Sequence, residues 1–211
     1  MAAPLLSFVD HLVLVTPDLQ QGIDGVAGLL GVTAAVGGKH PKWRTQNALL
    51  SLGPRLYLEL MASDGEPADP ANPRPFGIDG LSSMRLATWV ARADDLQRIV
   101  SAANSQGVDL GPVQPGSRRK PDGTELRWEM TDLTKNRENG IVPYFINWGA
   151  TVHPGMTSPQ GCRLEELKAF HPEPQRIMTI LSTLGIDLRV EEGPARLEIV
   201  VQSPKGRGIL K

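Results

Sequence analysis

An internal repeat constrains the fold of this chain more than any other feature of its sequence. Apolar runs at residues 11–15, 86–90 and 164–169 each precede a helix-start residue, which is Asp18, Asp94 or Pro172. A glycine stands 13 residues after each of these, at Gly31, Gly107 and Gly185. Asp and Pro favour helix starts, and Gly tolerates the left-handed conformation that ends a helix. Each copy therefore predicts a strand, a three-turn helix and a stop.

Further strand patterns follow the first two helices. Residues 45–52 and 55–61 are separated by Gly53 and Pro54, which is typical of a hairpin, and residues 32–36 precede them as a short strand. The second copy continues with residues 108–113, 125–130 and 142–148, the third only with residues 195–202. The sequence thus predicts two βαβββ modules and a truncated third β-α-β module.

The predicted organisation follows from this repeat. It consists of a first module at residues 7–63, a linker at 64–83, a second module at 84–150 and the truncated module at 162–211, packed on the same domain. Residues 64–80 are rich in Pro, Gly, Asp and Ala, which favours an exposed linker. Residues 112–123 carry Arg118, Arg119 and Lys120 and predict an irregular loop, either a mobile flap or a solvated surface segment.

The charge and cysteine content limit the classes of partner. With 22 Lys and Arg against 23 Asp and Glu, the formal net charge is −1, and no long basic run indicates nucleic acid or an anionic membrane. The single cysteine, Cys162, rules out an internal disulfide, and the N-terminus lacks the pattern of a signal peptide. We expect a cytoplasmic protein, a monomer or a homodimer, whose partner is a small molecule.

Several strings of this sequence, in their order, resemble the glyoxalase-like branch of the vicinal-oxygen-chelate superfamily. They are residues 10–15, 38–50, 57–61, 143–148 and 152–154. The resemblance covers nearly the whole chain and implies an α+β fold, in which paired βαβββ modules form a curved open sheet around a cleft. It also implies a divalent metal in that cleft (Zn, Ni, Fe or Mn), which acts as a Lewis acid on substrates that chelate it through adjacent oxygens.

His11 and Glu59 are the residues of the first module that match the family's metal ligands. Alternation along the strand puts Tyr57 and Glu59 on one face, and a buried carboxylate between Leu58 and Leu60 requires a cation or hydrogen-bond partners. The same two residues are the candidate catalytic pair, with Glu59 as general base and His11 as proton shuttle. A purely structural, hydrogen-bonded His11 at the sheet edge is the open alternative.

The second module departs from the family's ligand pattern. Superposing the helix starts places Ala87 at the position of His11, and aligning the fourth strands places Asn147 at the position of Glu59. A strong metal site usually needs three protein donors, so a further residue is required. The candidates that complete the site are His40, His153 and Asn147.

A polar and aromatic group is expected to line the cleft. Trp43, Thr45 and Asn47 share one strand face, and a buried Asn is suited to orient a ligand carbonyl or to hold Glu59. The candidate substrate-binding residues are Trp43, Thr45, Asn47, Tyr57, Trp128, Asn147 and His153, with Trp148 as a further wall. Asn and Trp at strand ends also anchor neighbouring loops, so a purely structural role for these residues is the open alternative.

Three functions are compatible with these residues. One is a metal-dependent lyase, isomerase or dioxygenase that acts on a small oxygenated metabolite. Another is a metal-free protein of the bleomycin-resistance type that binds or sequesters a small molecule. The third is an enzyme without metal, in which Glu59 and His11 abstract a proton next to a carbonyl.

Overall fold

The computed structural model describes residues 5–120, 122–135 and 137–211. After a short helix, α1 (Leu5–Phe8), the first module comprises β1 (Val9–Val15), α2 (Leu19–Leu30), β2 (Ala35–His40), β3 (Thr45–Gly53) and β4 (Leu56–Ser63). The second module comprises β5 (Arg85–Arg92), α3 (Leu96–Ser105), β6 (Val113–Arg119), β7 (Glu125–Thr131) and β8 (Tyr144–Asn147). Short 3-10 helices span Pro41–Trp43, Pro75–Gly80 and Pro154–Met156. The paired βαβββ fold is therefore confirmed.

The third unit contains more strands than the sequence pattern indicates. It comprises β9 (Arg163–His171), α4 (Pro174–Thr183), β10 (Val190–Glu192), β11 (Arg196–Ser203) and β12 (Gly206–Leu210). The strands β10 and β12 were not predicted, because the former has only three residues and the latter contains two glycines. This unit forms a separate four-stranded sheet in the order β10-β9-β11-β12. The assignment of domain boundaries stays a prediction.

The first eight strands close into a barrel in the order β1-β4-β3-β2-β6-β7-β8-β5. The two modules meet along β1 and β5, which pair antiparallel over nearly their whole length. On the opposite side, β2 and β6 share a single register pair, Lys39 with Arg119. The predicted curved sheet is thus barely closed on that side, and the cleft lies within it.

The helices begin and end close to the predicted residues. Asp18 caps α2 by accepting a hydrogen bond from the backbone N–H of Gln21, whereas the cap of α3 is Asp95 rather than Asp94. The expected stops at Gly31, Gly107 and Gly185 all have positive φ angles, of 78°, 76° and 74°. No helix within the described ranges has the length and apolarity to cross a membrane.

One segment that the sequence presented as irregular forms a strand, and a second is exposed and irregular over residues 65–73, as expected, but partly buried after them. Residues 113–119 form β6, which pairs with β7 along its length, so the expected loop at 112–123 is wrong for most of its residues. Pro115 argues against a strand because Pro has no backbone N–H to donate to a neighbouring strand. The strand tolerates it because β2 and β6 do not pair at that residue. Within the expected linker, Ile78 is buried and Arg74 is buried with an ion pair to Asp79.

Strand alternation divides the core into two apolar clusters. Leu12 and Leu14 of β1 face outward and pack with residues of the helices and the third unit, whereas Val13 and Val15 face the barrel interior with Tyr57 and other residues. This periodicity also directs His11 into the barrel. The side chains of alternate residues of β1 and β4 therefore point into the cleft.

Gly140 is expected to tolerate no side chain. Its φ is 88°, and a Cβ there would overlap the carbonyl oxygen of Ala87. Gly123 has almost the same φ, 86°, but open space around a Cβ, and is the matched control. In urea denaturation, we expect Gly140→Ala to lower the free energy of unfolding by about 3 kcal/mol or more, and Gly123→Ala by about 1–2 kcal/mol. Equal losses would contradict the steric explanation.

Candidate functional site

Asp10 is a buried carboxylate behind the cleft that accepts three hydrogen bonds. Its Oδ1 atom lies 2.8 Å from Nδ1 of His11 and 3.1 Å from Nε1 of Trp148, and its Oδ2 atom lies 3.1 Å from Nε2 of His153. A carboxylate only accepts, so both histidines present their N–H groups to it. His153 also accepts a hydrogen bond from the backbone N–H of Gly155 at Nδ1. His153 is therefore held at both ring nitrogens.

The environment of Asp10 keeps it ionised. Burial alone would raise the pKa of this carboxyl, but the hydrogen bonds and charges of His11 and His153 outweigh burial and lower the pKa well below its usual range. The anionic Asp10 thus fixes Nδ1 of His11 as a donor and leaves Nε2 directed at the cleft.

Glu59, on β4, lies at the centre of the site and is only 5% exposed. Its Oε1 atom accepts a hydrogen bond of 2.6 Å from Nδ2 of Asn47. Nε2 of His11 lies 3.6 Å from Oε2, and Nε2 of His40 lies 3.9 Å from Oε1. These two distances exceed hydrogen-bonding range, so both imidazoles face the carboxylate with a gap between them.

His40 enters the site from the end of β2. Its Nδ1 atom lies 3.1 Å from the hydroxyl of Thr45, which leaves Nε2 directed toward Glu59. Burial lowers the pKa of His40 below its ordinary value, and nearby Arg118 and His11 lower it further, against the opposing charge of Glu59. His40 is therefore neutral at neutral pH and offers a lone pair at its Nε2 or Nδ1 atom.

A cavity of about 950 Å³ contains these groups and most of the other predicted residues. Six of the seven candidate substrate-binding residues line it, namely Trp43, Thr45, Asn47, Tyr57, Trp128 and Asn147. His153 does not line the cavity but lies behind Tyr57, in edge-to-face contact with its ring. The ring of Tyr57 in turn stacks on His11, with centroids 4.6 Å apart.

Only one of the three residues proposed to complete a metal site faces Glu59. Both ring nitrogens of His153 are engaged, as described above. The amide of Asn147 is also engaged, because it donates to the carbonyl of Asp94 and accepts from the N–H of Gly149. His40 is therefore the remaining candidate. No group of three or more His, Cys, Asp or Glu stands at the spacing of a metal centre within the described ranges.

The strand register corrects the correspondence between the modules. His11 pairs with Tyr57 on the parallel strands β1 and β4, and Val90 pairs with Tyr144 on the parallel strands β5 and β8. Matching the tyrosines places Val90, not Ala87, at the position of His11. It likewise places Ile146, not Asn147, at the position of Glu59. A one-residue shift along a strand reverses the face, and Ile146 is the inward residue.

The helix starts could not reveal this correspondence, because the connections differ in length. His11 precedes the helix cap Asp18 by seven residues, whereas Val90 precedes the cap Asp95 by five. The two positions of the second module that correspond to His11 and Glu59 are thus occupied by apolar residues. Both imidazoles that face Glu59 belong to the first module.

Two residues of the site were missed by sequence reasoning. Asp10 directly precedes His11, and a carboxylate in an apolar strand is the signal that could have identified it. Arg118 is 3% exposed, lines the cavity and donates from Nη1 to Oδ1 of Asn47 at 3.4 Å. Its strand was hidden by Pro115 and Gly116, so its inward orientation could not be recognised.

Two tryptophan rings form an aromatic wall of the cavity. Trp128 and Trp148 lie with ring centroids 5.2 Å apart, and Trp128 also makes an edge contact with His40. Trp148 in turn contacts the ring of His153. A cavity with aromatic walls and a few convergent polar groups is typical of a site for a small organic molecule.

Two βαβββ modules closed around such a cleft, with a His on the first strand and a Glu on the fourth, define a protein of the vicinal-oxygen-chelate class. The family model of the glyoxalase-like domain matches residues 9–185. The chain belongs to this glyoxalase-like domain family, which confirms the resemblance seen in the sequence. A comparison with curated proteins finds no match.

Several solved structures are similar to this chain. A hypothetical protein from Staphylococcus aureus is 13% identical with a TM-score of 0.65, over 89% of this chain and 87% of that chain. Methylmalonyl-CoA epimerase from Mycobacterium tuberculosis is 19% identical with a TM-score of 0.45, over 69% of this chain and 91% of that chain. Methylmalonyl-CoA epimerase in complex with methylmalonyl-CoA and NH4+ is 16% identical with a TM-score of 0.46, over 70% and 98%. At these identities the likeness concerns the fold alone.

Replacing Asp10 tests its role as the anchor of the site. Asp10→Asn removes the charge that three donors face, so we expect the free energy of unfolding at neutral pH to fall by about 2–4 kcal/mol. Folding lowers the pKa of Asp10, so the stability it contributes is present above the unfolded pKa of about 4 and is lost as the pH falls further. The difference in the free energy of unfolding between the wild type and Asp10→Asn is therefore expected to become smaller as the pH falls below about 4. Urea denaturation across pH measures it, and a constant difference would argue against an ionised anchor.

Proposed function

We propose that the protein is an enzyme that transforms a small oxygenated molecule in the cleft, with Glu59 transferring a proton at a carbon next to an oxygen-bearing group. The observation that carries this proposal is the gap around Glu59. Nε2 of His11 faces Oε2 at 3.6 Å and Nε2 of His40 faces Oε1 at 3.9 Å, in a cavity of about 950 Å³. A buried carboxylate and two aimed imidazoles that do not satisfy one another leave room for a reacting group.

The division of roles follows from the hydrogen bonds. Asn47 holds one oxygen of Glu59, which orients the carboxylate and leaves the other oxygen to accept a proton from substrate. His11, with Nδ1 held by Asp10, presents Nε2 as the group that exchanges a proton with the substrate oxygen. The aromatic wall formed by Trp128 and Trp148 limits the water around the bound molecule.

The chemistry of the donors also fits the divalent metal that the fold class implies. Two imidazoles whose Nδ1 atoms are held by Asp10 and Thr45, together with one carboxylate, are donors of the kinds that Zn, Ni, Fe or Mn take, although these three side chains do not stand at the spacing of a metal centre. His11, His40 and Glu59 are the residues that would hold the ion. When bound, it would supply Lewis-acid polarisation of a substrate oxygen.

Metal binding is tested on protein purified without a His tag and loaded with Zn, Ni, Mn or Fe. We expect one ion per chain in the wild type and loss of that ion in Glu59→Gln and His11→Ala. Thr45→Val, which frees Nδ1 of His40, is expected to weaken binding about 10–100-fold. His171→Gln is the matched control, because His171 lies in the separate sheet of the third unit. Mass spectrometry measures the metal content of the wild type and of the four variants. Absence of metal from the loaded wild type would remove the ion from the proposal.

Proton transfer is tested independently of the metal by deuterium exchange. Mandelate, a 2-hydroxy acid with an aromatic ring, is incubated with enzyme in D2O, and proton NMR follows the hydrogen on its carbon 2. We expect exchange in the wild type and a loss of about 10²–10⁴-fold in Glu59→Gln. Exchange that is equally fast in Glu59→Gln would refute the role of this carboxylate.

A metal-free binding protein is the second candidate function. The apolar Val90 and Ile146 at the second module's ligand positions favour it, because such a protein needs no donors there. Binding of an aromatic ligand that Glu59→Gln leaves unchanged, without metal and without exchange of any bound ligand, would support this candidate over the enzyme.

A further inference from the structure

Arg118 is a buried cation whose hydrogen-bond donors are largely unused. Its side chain lines the cleft, and the residue is 3% exposed. Its one described hydrogen bond goes to the neutral Oδ1 atom of Asn47, at the long distance of 3.4 Å. Among the residues that the structure describes, no carboxylate forms an ion pair with it. A guanidinium carries five N–H donors, and burying it without an anionic partner is costly.

Two glycines of the neighbouring strand β2 leave the space that Arg118 occupies. A Cβ at Gly37 of β2 would collide with Nη1 of Arg118 and Oδ1 of Asn47, so only glycine leaves room for the two side chains to meet. A Cβ at Gly38 would collide with the carbonyl oxygen of Arg119 on β6. The two glycines thus let β2 and β6 approach closely where Arg118 enters the cleft.

Asn47 connects this cation to the proposed reactive carboxylate. Its Oδ1 atom accepts from Arg118, while its Nδ2 atom donates to Glu59. Arg118 and Glu59 therefore lie one amide group apart on the same side of the cavity. A planar carboxylate matches the fork of a guanidinium. Because Asn47 contacts both Arg118 and Glu59, a carboxylate bound by Arg118 would lie near Glu59.

We propose that Arg118 binds the carboxylate of the substrate, which makes the substrate a carboxylic acid that reacts at carbon 2, next to the carboxylate. This inference rests on the proposed function and names its substrate class. The bond between carbon 2 and hydrogen breaks, and the proton passes to Glu59. The electron pair moves into the carboxylate to give an enediolate, whose added negative charge Arg118 stabilises. Return of the proton to carbon 2 restores the acid.

Charges of both signs line the cleft besides Arg118. Lys42 and Arg127 line its rim, and Lys42 donates to Gln114 across the mouth. Glu129 also lines the cavity and opposes them, but it is exposed to solvent, where its charge is screened. Glu59 is the buried carboxylate of the cavity, and Arg118 with the two rim cations offsets its charge, so a small monoanion is expected to pair with the guanidinium.

The test compares mandelate with mandelamide, which lacks the charge but keeps the ring and the hydroxyl. Calorimetry or quenching of the cleft tryptophans measures binding to the wild type, Arg118→Met, Arg118→Lys and Arg119→Met. Arg119→Met is the matched control, because Arg119 is the exposed neighbour on the same strand. Gly37→Ala is an independent variant whose added Cβ displaces both Arg118 and Asn47 without removing the charge of Arg118.

We expect the wild type and Arg119→Met to bind mandelate about tenfold or more tightly than mandelamide. Arg118→Met and Gly37→Ala are expected to lose this preference, because their affinity for mandelate falls more than their affinity for mandelamide, and Arg118→Lys is expected to keep a part of it. Equal binding of the two probes by the wild type would overturn the proposal, as would a preference retained in Arg118→Met. Failure of acetate, lactate, phenylacetate and mandelate alike to bind at about 10 mM would also overturn it. So would binding of inorganic phosphate in their place.

The outcomes separate this inference from the proposed function. Glu59→Gln is expected to keep the preference for mandelate over mandelamide, because Arg118 remains, while it loses deuterium exchange. Anion preference without exchange would thus retain Arg118 as the binding residue and reject the enzyme. Exchange without anion preference would retain Glu59 and reject the role of Arg118.

Discussion

The buried carboxylate of Asp10 is the interaction on which the rest of the site depends. It accepts hydrogen bonds from His11 in the first module, from Trp148 just after the last strand of the second, and from His153 in the connection to the third. One charge therefore joins three parts of the chain behind the cleft. Because Asp10 holds Nδ1 of His11, the imidazole presents Nε2 to Glu59, so a residue behind the cleft orients a group within it.

Strand periodicity was sufficient to predict the inward face of the first module from the sequence. Glu59 and Asn47 alternate with apolar residues on long strands, so their burial and mutual contact could be expected. Arg118 could not, because Pro115 and Gly116 disguise its strand, and its inward position depends on close approach of Gly37. The correspondence between the modules also failed, since it depends on loop length and strand register, which local sequence does not encode.

Duplication has left the two modules with different tasks. Around Glu59, the first contributes the carboxylate, both facing imidazoles and the bridging amide, whereas the second contributes apolar residues at the equivalent positions, together with the aromatic wall and Arg118. Apart from Arg118, the polar groups around Glu59 described above therefore belong to one module. This asymmetry gives the cleft a polar side and an apolar side, which would orient any molecule with a charged end and a ring.

The barrel is closed between β2 and β6 by the single register pair of Lys39 with Arg119. Backbone amides along this junction are expected to exchange with solvent more readily than those of the β1–β5 junction, since few hydrogen bonds must break to open it. Arg118 lies on one side of the junction and Asn47 belongs to the strand next to β2 on the other. A molecule bound to both sides of the junction would stabilise the closed barrel against opening there, so ligand binding and barrel closure would be thermodynamically linked.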